Sequence, residues 1–87
     1  MKVDYSALTF GQIVRLAKQE ASMSTHNLSK ALDIDQKLIN DIEGDKYASI
    51  SIVDKIVKYF QLDRTTMARL NMYNHKIWKD YYKYINE

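Results

Sequence analysis

Apolar residues recur along this chain at intervals of three and four, the spacing that places side chains on one face of an α-helix. The first run predicts a helix over residues 10–21, and Thr9 with Gln12 forms a capping box at its start. Gly11, in the first turn, is expected to cost about 1 kcal/mol relative to alanine. The apolar face of the run consists of Phe10, Ile13, Val14, Ala17 and Ala21.

Residues 24–43 predict two short helices joined by a tight turn, and the rest of the chain is organised around them. Ser24 can cap the first helix of this pair and Asp35 the second, while small Ser29 lets the helices cross closely. The outer face of the second helix is then free to contact a partner, as in a helix-turn-helix, although any helical hairpin gives similar spacings. The apolar positions are Leu28, Leu32, Ile34, either Leu38 or Ile39, and Ile42.

Two further helices are predicted in the second half of the chain. Ser49 can cap a fourth helix that ends near residues 61–62, and Asp63 starts a fifth helix that is predicted to reach the C-terminus. Heptad spacing in the fifth helix favours a two-fold dimer interface. The alternatives are a helix folded back on the four-helix core and a docking helix for another protein. The predicted dimer seam consists of Met67, Leu70, Asn74, Ile77, Tyr81 and Tyr84.

Composition narrows the class of protein. The 87 residues suffice for one small domain, and the absence of proline and cysteine leaves helices uninterrupted and excludes disulfides and thiolate metal sites. No signal peptide or membrane-spanning run is visible, so we expect a cytoplasmic protein without membrane contact. The net charge of +2 permits nucleic-acid binding without arguing for it. His26 and His75 lie in different predicted helices and no catalytic motif is present, so we expect no enzyme, cofactor or metal site.

Three segments between Phe10 and Leu62 carry a resemblance to a known family: FGQIVRLAKQE, MSTHNLSKALDIDQKLINDIEGDK and SIVDKIVKYFQL. They resemble the Cro/CI-type (XRE-like) helix-turn-helix regulators of phages, plasmids and bacteria. The matching positions are Leu28-Ser29, Asp33-Ile34, Ile39, Ile42-Glu43 and Phe60-Gln61-Leu62. The resemblance implies an all-α fold, with a lambda-repressor-like four-helix DNA-binding domain over residues 1–62 and an additional long C-terminal helix over residues 63–87.

The chain departs from the family pattern at four places. Thr25 stands where most members carry a phosphate-holding glutamine, and Asp33 replaces the glycine of the turn, where aspartate tolerates left-handed geometry at some cost. The usual Glu-x-Gly close is shifted to residues 43–45. The frequent proline before the fourth helix is missing, with Ala48 nearby. The first and third departures, at Thr25 and at residues 43–45, concern the phosphate contacts more than the fold.

The resemblance also implies a function and its residues. The chain would be a sequence-specific, double-stranded DNA-binding transcriptional regulator, a homodimeric repressor whose third helix lies in the major groove. The base-contacting residues would be Gln36, Lys37, Asn40 and Asp41, unless they form only a solvated polar face. The phosphate-contacting residues would be Ser24, Thr25, Lys46 and Tyr47.

Electrostatics raises an objection to this function. Residues 33–45 hold five acidic side chains against Lys37 alone, a local charge of −4 that opposes binding to phosphates. Asp35 can be used for capping, and the family position of Glu43 implies an ion pair with Lys18 of the first helix. The alternative function is a protein-interaction module of helix-turn-helix fold, antitoxin-like or partner-binding, with little DNA binding.

Overall fold

The computed structural model describes residues 8–75, and this part of the chain is built from helices without a strand. The predicted all-α class is therefore confirmed. None of the described helices combines the length and apolar character needed to cross a membrane. The elements in order are α1 (Phe10–Glu20), α2 (Thr25–Leu32), α3 (Gln36–Glu43), α4 (Ile50–Phe60) and α5 (Arg64–Met72).

Short-range caps begin most of these helices, as the sequence predicts. Thr9 and Gln12 form the reciprocal capping box of α1, and the Ser24 hydroxyl accepts a hydrogen bond from the Asn27 backbone N–H at the start of α2. Asp35 accepts from the Lys37 N–H at the start of α3. Ser49 occupies the N-cap position of α4, but its side chain makes no capping bond there. The sequence therefore predicted where α4 begins, but not that the Ser49 side chain leaves its N-terminus without a capping hydrogen bond.

Asp63 caps α5 in the predicted manner. Its carboxylate accepts hydrogen bonds from the side chain and the backbone N–H of Thr66. These bonds stabilise the charged form and hold the pKa of Asp63 below its ordinary value, the side-chain bond contributing most. Next to it, a hydrogen bond to Asp54 raises the pKa of Arg64. This ion pair connects the start of α5 to α4 on the surface.

The turn between α2 and α3 has the left-handed residue that the sequence predicts. Asp33 has φ 55° and ψ 50°, and the next N–H, of Ile34, bonds back to the Ser29 carbonyl at 3.1 Å. Substituting Asp33→Gly is expected to raise the melting temperature by a few degrees, since glycine adopts this conformation without the steric cost of a Cβ. A thermal unfolding curve checks this, and an unchanged or lowered midpoint would contradict it.

One hydrophobic core lies between the five helices. α3 and α5 pack against α1, α4 packs against α2 and α5, and α2 packs against α3. Of the two alternatives at the start of α3, Ile39 is fully buried whereas Leu38 is 40% exposed. The buried apolar residues are Phe10, Ile13, Val14, Leu28, Leu32, Ile39, Ile42, Ala48, Val53, Ile56 and Met67.

The C-terminal part of the fold corrects two predictions. α5 ends at Met72, and residues 73–75 form a turn and a bend, so the prediction of an unbroken helix from Asp63 onward is wrong at this point. Met67 is 1% exposed in the core of its own chain, and a side chain buried in this way has no surface left for a two-fold partner. Leu70 packs against the same core and Asn74 is half-buried. The other predicted seam residues, Ile77, Tyr81 and Tyr84, lie outside the described residues.

Candidate functional site

The outer face of α3 is polar and open to solvent. Gln36, Lys37 and Asn40 are exposed, and Asp41 is half-buried at the edge of the same face. On the opposite side of the helix, Ile39 and Ile42 are buried in the core. The buried pair fixes the rotation of α3 about its axis. The structure therefore brings the four predicted base-contacting residues to one surface.

A contact that the sequence does not predict joins the beginnings of α2 and α3. The Gln36 side-chain nitrogen Nε2 lies 2.7 Å from Nδ1 of His26, and both side chains are exposed. In the sequence, His26 serves only to argue against a catalytic or metal site. No local pattern signals the contact, because it depends on the angle between two helices on either side of a turn.

Lys18 holds α1, α2 and α3 together behind this surface. Its Nζ lies 2.8 Å from Oε1 of Glu43, and the two side chains are only 12% and 11% exposed. The ion pair predicted from the family position is therefore present. Lys18 also donates to the Thr25 hydroxyl at 2.7 Å. The Thr25 oxygen is thus engaged on the inner side, and only its hydroxyl proton remains for a phosphate.

The α3–α4 loop carries the other two predicted phosphate contacts, Lys46 and Tyr47. The Lys46 ammonium lies 3.5 Å from the Asp41 carboxylate, and its side chain is 69% exposed. Tyr47 is exposed and stacks edge-to-face with His75 at 4.7 Å between ring centroids. The loop itself is held from below by Asn71, whose side chain accepts from the Ala48 N–H and donates to the Ala48 carbonyl. No pattern in the sequence predicts this role for Asn71.

Three of the five acidic side chains of residues 33–45 contact a partner. Asp35 caps α3, Glu43 pairs with Lys18, and Asp41 pairs with Lys46. Oδ1 of Asp45 is buried close to the α1 backbone at Gly11 and has no hydrogen-bond partner within the described residues. Asp33 remains exposed in the turn. Glu43 is therefore neutralised behind the outer face of α3, whereas Asp41 is neutralised only while Lys46 remains its partner.

An apolar groove adjoins the same surface. Leu38 and Tyr47 are 40% and 43% exposed, and together with half-buried Ile52 they line a groove of about 350 Å³. Asp41 and Lys46 stand at its polar edge. The helical pattern does not predict this groove, because Leu38 fits the buried face of α3 as well as Ile39 does in the sequence.

Comparison with models of known protein families, with functionally characterised proteins and with solved structures finds no match to this chain. Within the described part of the chain, no three His, Cys, Asp or Glu residues are grouped so that they could hold a metal ion.

Proposed function

We propose that this protein is a sequence-specific, double-stranded DNA-binding regulator of the Cro/CI type, with a lambda-repressor-like fold that places α3 in the major groove. The observation that carries the proposal is the α2–α3 pair. A three-residue turn with left-handed Asp33 joins the helices, and α3 presents a polar face opposite the buried residues Ile39 and Ile42. An α-helix fits the B-DNA major groove, and recognition helices of this type contact base edges from their N-terminal residues.

The exposed side chains of α3 suit base edges. Gln36 can form two hydrogen bonds with adenine, and Lys37 can donate to O6 and N7 of guanine. Asn40, one turn after Gln36, can reach adenine or a phosphate. Asp41 can accept from a cytosine amine once Lys46 has left it. Because Gln36, Lys37 and Asn40 are exposed, these contacts require no unfolding of the core.

Phosphate contacts would come from both ends of the surface. Ser24 and Thr25 lie at the start of α2, where hydroxyl protons and helix N-terminal amides can donate to an anion. Lys46 and Tyr47 lie beyond the other end of α3. A phosphate can replace Asp41 as the partner of Lys46, since this ion pair is exposed and contributes little to stability. A homodimeric repressor would place two α3 helices about 34 Å apart, one duplex turn.

Selection from a randomised duplex library at two salt concentrations tests this function. We expect a near-palindromic site to be enriched, with weaker binding at higher salt as counterions compete for the phosphates. Gln36→Ala and Lys37→Ala are each expected to lower affinity for that site by about 10-fold, the cost of a lost base contact. Gln19→Ala and Lys58→Ala remove exposed side chains of the same types from α1 and α4 and serve as controls.

The outcome that contradicts the proposal is a folded wild-type protein that enriches no site at low salt. Equal loss in the control variants would also contradict it, because binding would then not depend specifically on the side chains of α3. Unfolding curves of each variant exclude loss of structure as the cause.

A protein-interaction module is the second candidate function, and the apolar groove favours it. Exposed Leu38 and Tyr47 beside Asp41 form a surface of the composition that partners bury. Leu38→Ser separates the two functions. It leaves the polar contacts of α3 in place, so DNA affinity is expected to be retained while affinity for a partner bound at the groove is lost.

A further inference from the structure

The contact between α2 and α3 fixes the direction of a side chain that faces the proposed DNA surface. Gln36 is the first residue of α3, and its Nε2 donates to Nδ1 of His26, the second residue of α2, at 2.7 Å. Both residues are exposed, so a bound duplex can reach Gln36 without displacing the ring. Because an amide nitrogen can only donate, Nδ1 of His26 must accept in this contact, which requires the tautomer with the proton on Nε2.

The side-chain amide of Gln36 has two chemically different ends. Its oxygen only accepts and its nitrogen only donates, so a half-turn about the last side-chain bond exchanges donor and acceptor. An acceptor at residue 26 holds the nitrogen end of Gln36 toward α2. A donor at the same place would hold the oxygen end there, and the outward edge of the amide would then be reversed.

Adenine distinguishes these two directions. Its major-groove edge offers the N7 acceptor beside the N6 amino donor, so a glutamine amide pairs with it through both bonds in one direction only. Guanine offers two acceptors, N7 and O6, at the same places. In the reversed direction the amide oxygen faces N7 and the amide nitrogen faces N6, and both adenine contacts are lost.

We propose that His26 is a positioning residue that sets the base preference of Gln36, a role that rests on the proposed DNA-binding function. With Nδ1 as an acceptor, Gln36 prefers adenine over guanine at the base pair that it contacts. His26 touches no base itself. It acts by fixing which end of the Gln36 amide faces outward.

The test exchanges the hydrogen-bonding character of residue 26 while its position stays the same. His26→Glu supplies only acceptors and His26→Lys only donors. The measured quantity is the ratio of affinities for adenine and guanine at one base pair of the enriched site. That base pair is identified beforehand as the one whose preference is flattened by Gln36→Ala.

We expect His26→Glu to keep the adenine preference of the wild type and His26→Lys to lower the adenine-to-guanine ratio by about 10-fold. His26→Leu, which offers neither donor nor acceptor, is expected to fall between them. The two charged variants also change total affinity for any duplex, but such a change applies equally to both bases and cancels in the ratio. A merely structural role of His26 would leave the ratio unchanged.

The same ratio in the glutamate, lysine and leucine variants would overturn the inference and leave the proposed function standing. A wild-type protein that enriches no site would overturn both. Melting temperatures of the three variants accompany the measurement, and we expect them to stay near that of the wild type because His26 is exposed.

Discussion

Replacing Gly11 by alanine is expected to lower the free energy of unfolding by about 3 kcal/mol, although alanine is the better helix former. Gly11 lies where α1 crosses the end of α3. A Cβ at this position would overlap the Ile42 carbonyl oxygen and stand 3.1 Å from Cα of Glu43. Both are backbone atoms of a packed helix, so neither can rotate away as a flexible side chain would. For a domain of this size, we expect the melting temperature to fall by more than about 10 °C.

Gly44→Ala is the matched control for this substitution. Gly44 follows α3 with φ −88°, and the atoms nearest to its added Cβ, the carbonyl oxygens of Asn40 and Asp41, lie at 3.4 and 3.5 Å. We expect its effect to stay within about 0.5 kcal/mol. A Gly11→Ala protein at least as stable as the wild type would show that helix propensity decides at this position and that α1 and α3 do not approach closely there.

Local signals account for the part of the fold that the sequence predicted. The Thr9 box, the Ser24 and Asp35 caps and the left-handed Asp33 each depend on residues two to five positions apart. Their geometry follows from the chain's own backbone, whatever packs against it. Helical periodicity likewise predicted the buried Ile42 and, apart from the choice between Leu38 and Ile39, the face that α3 turns outward.

Contacts between distant residues account for what the sequence analysis missed. Helix propensity predicts only a cost for Gly11, whereas in the structure Gly11 lies at a close crossing of two helices. Heptad spacing placed Met67 in a dimer seam, but the same spacing serves a helix that packs on its own core, where Met67 lies. Periodicity shows that a face is apolar and not which surface covers it.

The candidate site also combines features that the sequence predicts with contacts that it does not. Exposure of Gln36 and Lys37 follows from the helical pattern, and the Lys18–Glu43 pair followed from the family resemblance. The contact of His26 with Gln36 and that of Lys46 with Asp41 depend on how helices and loops are arranged in space. No single stretch of the sequence encodes them.

Asn71 also bears on the absence of a proline before α4. Its side chain accepts from the Ala48 N–H at 2.9 Å, just before α4. A proline at residue 48 would have no N–H to give, so the bond to Asn71 is compatible with Ala48 and not with the imino acid. In this chain the buried Asn71 side chain holds the loop before α4 through hydrogen bonds, whereas a proline would restrict the loop through its fixed φ angle.

Asn71→Ala is therefore expected to lower the free energy of unfolding by about 3 kcal/mol. Asn71 is 2% exposed, and its removal leaves a cavity and two unpaired backbone groups at Ala48, each of which costs about 1–3 kcal/mol when buried. Hydrogen exchange adds a local readout. Asn71 protects the Ala48 amide in the wild type. In the Asn71→Ala variant we expect this amide to exchange faster than the amides of α2.

Asn27→Ala removes the same side chain from the exposed surface of α2 and is expected to change stability by no more than about 0.5 kcal/mol. If the two variants unfolded at the same temperature, the Asn71–Ala48 pairing would not be the device that holds the α3–α4 loop. If Asn71→Ala is the less stable, the DNA affinity of this variant tests whether the buried Asn71 also matters for the proposed function. Lys46 and Tyr47 precede Ala48 directly, so a loosened loop is expected to weaken their phosphate contacts while the base preference set by Gln36 on α3 persists.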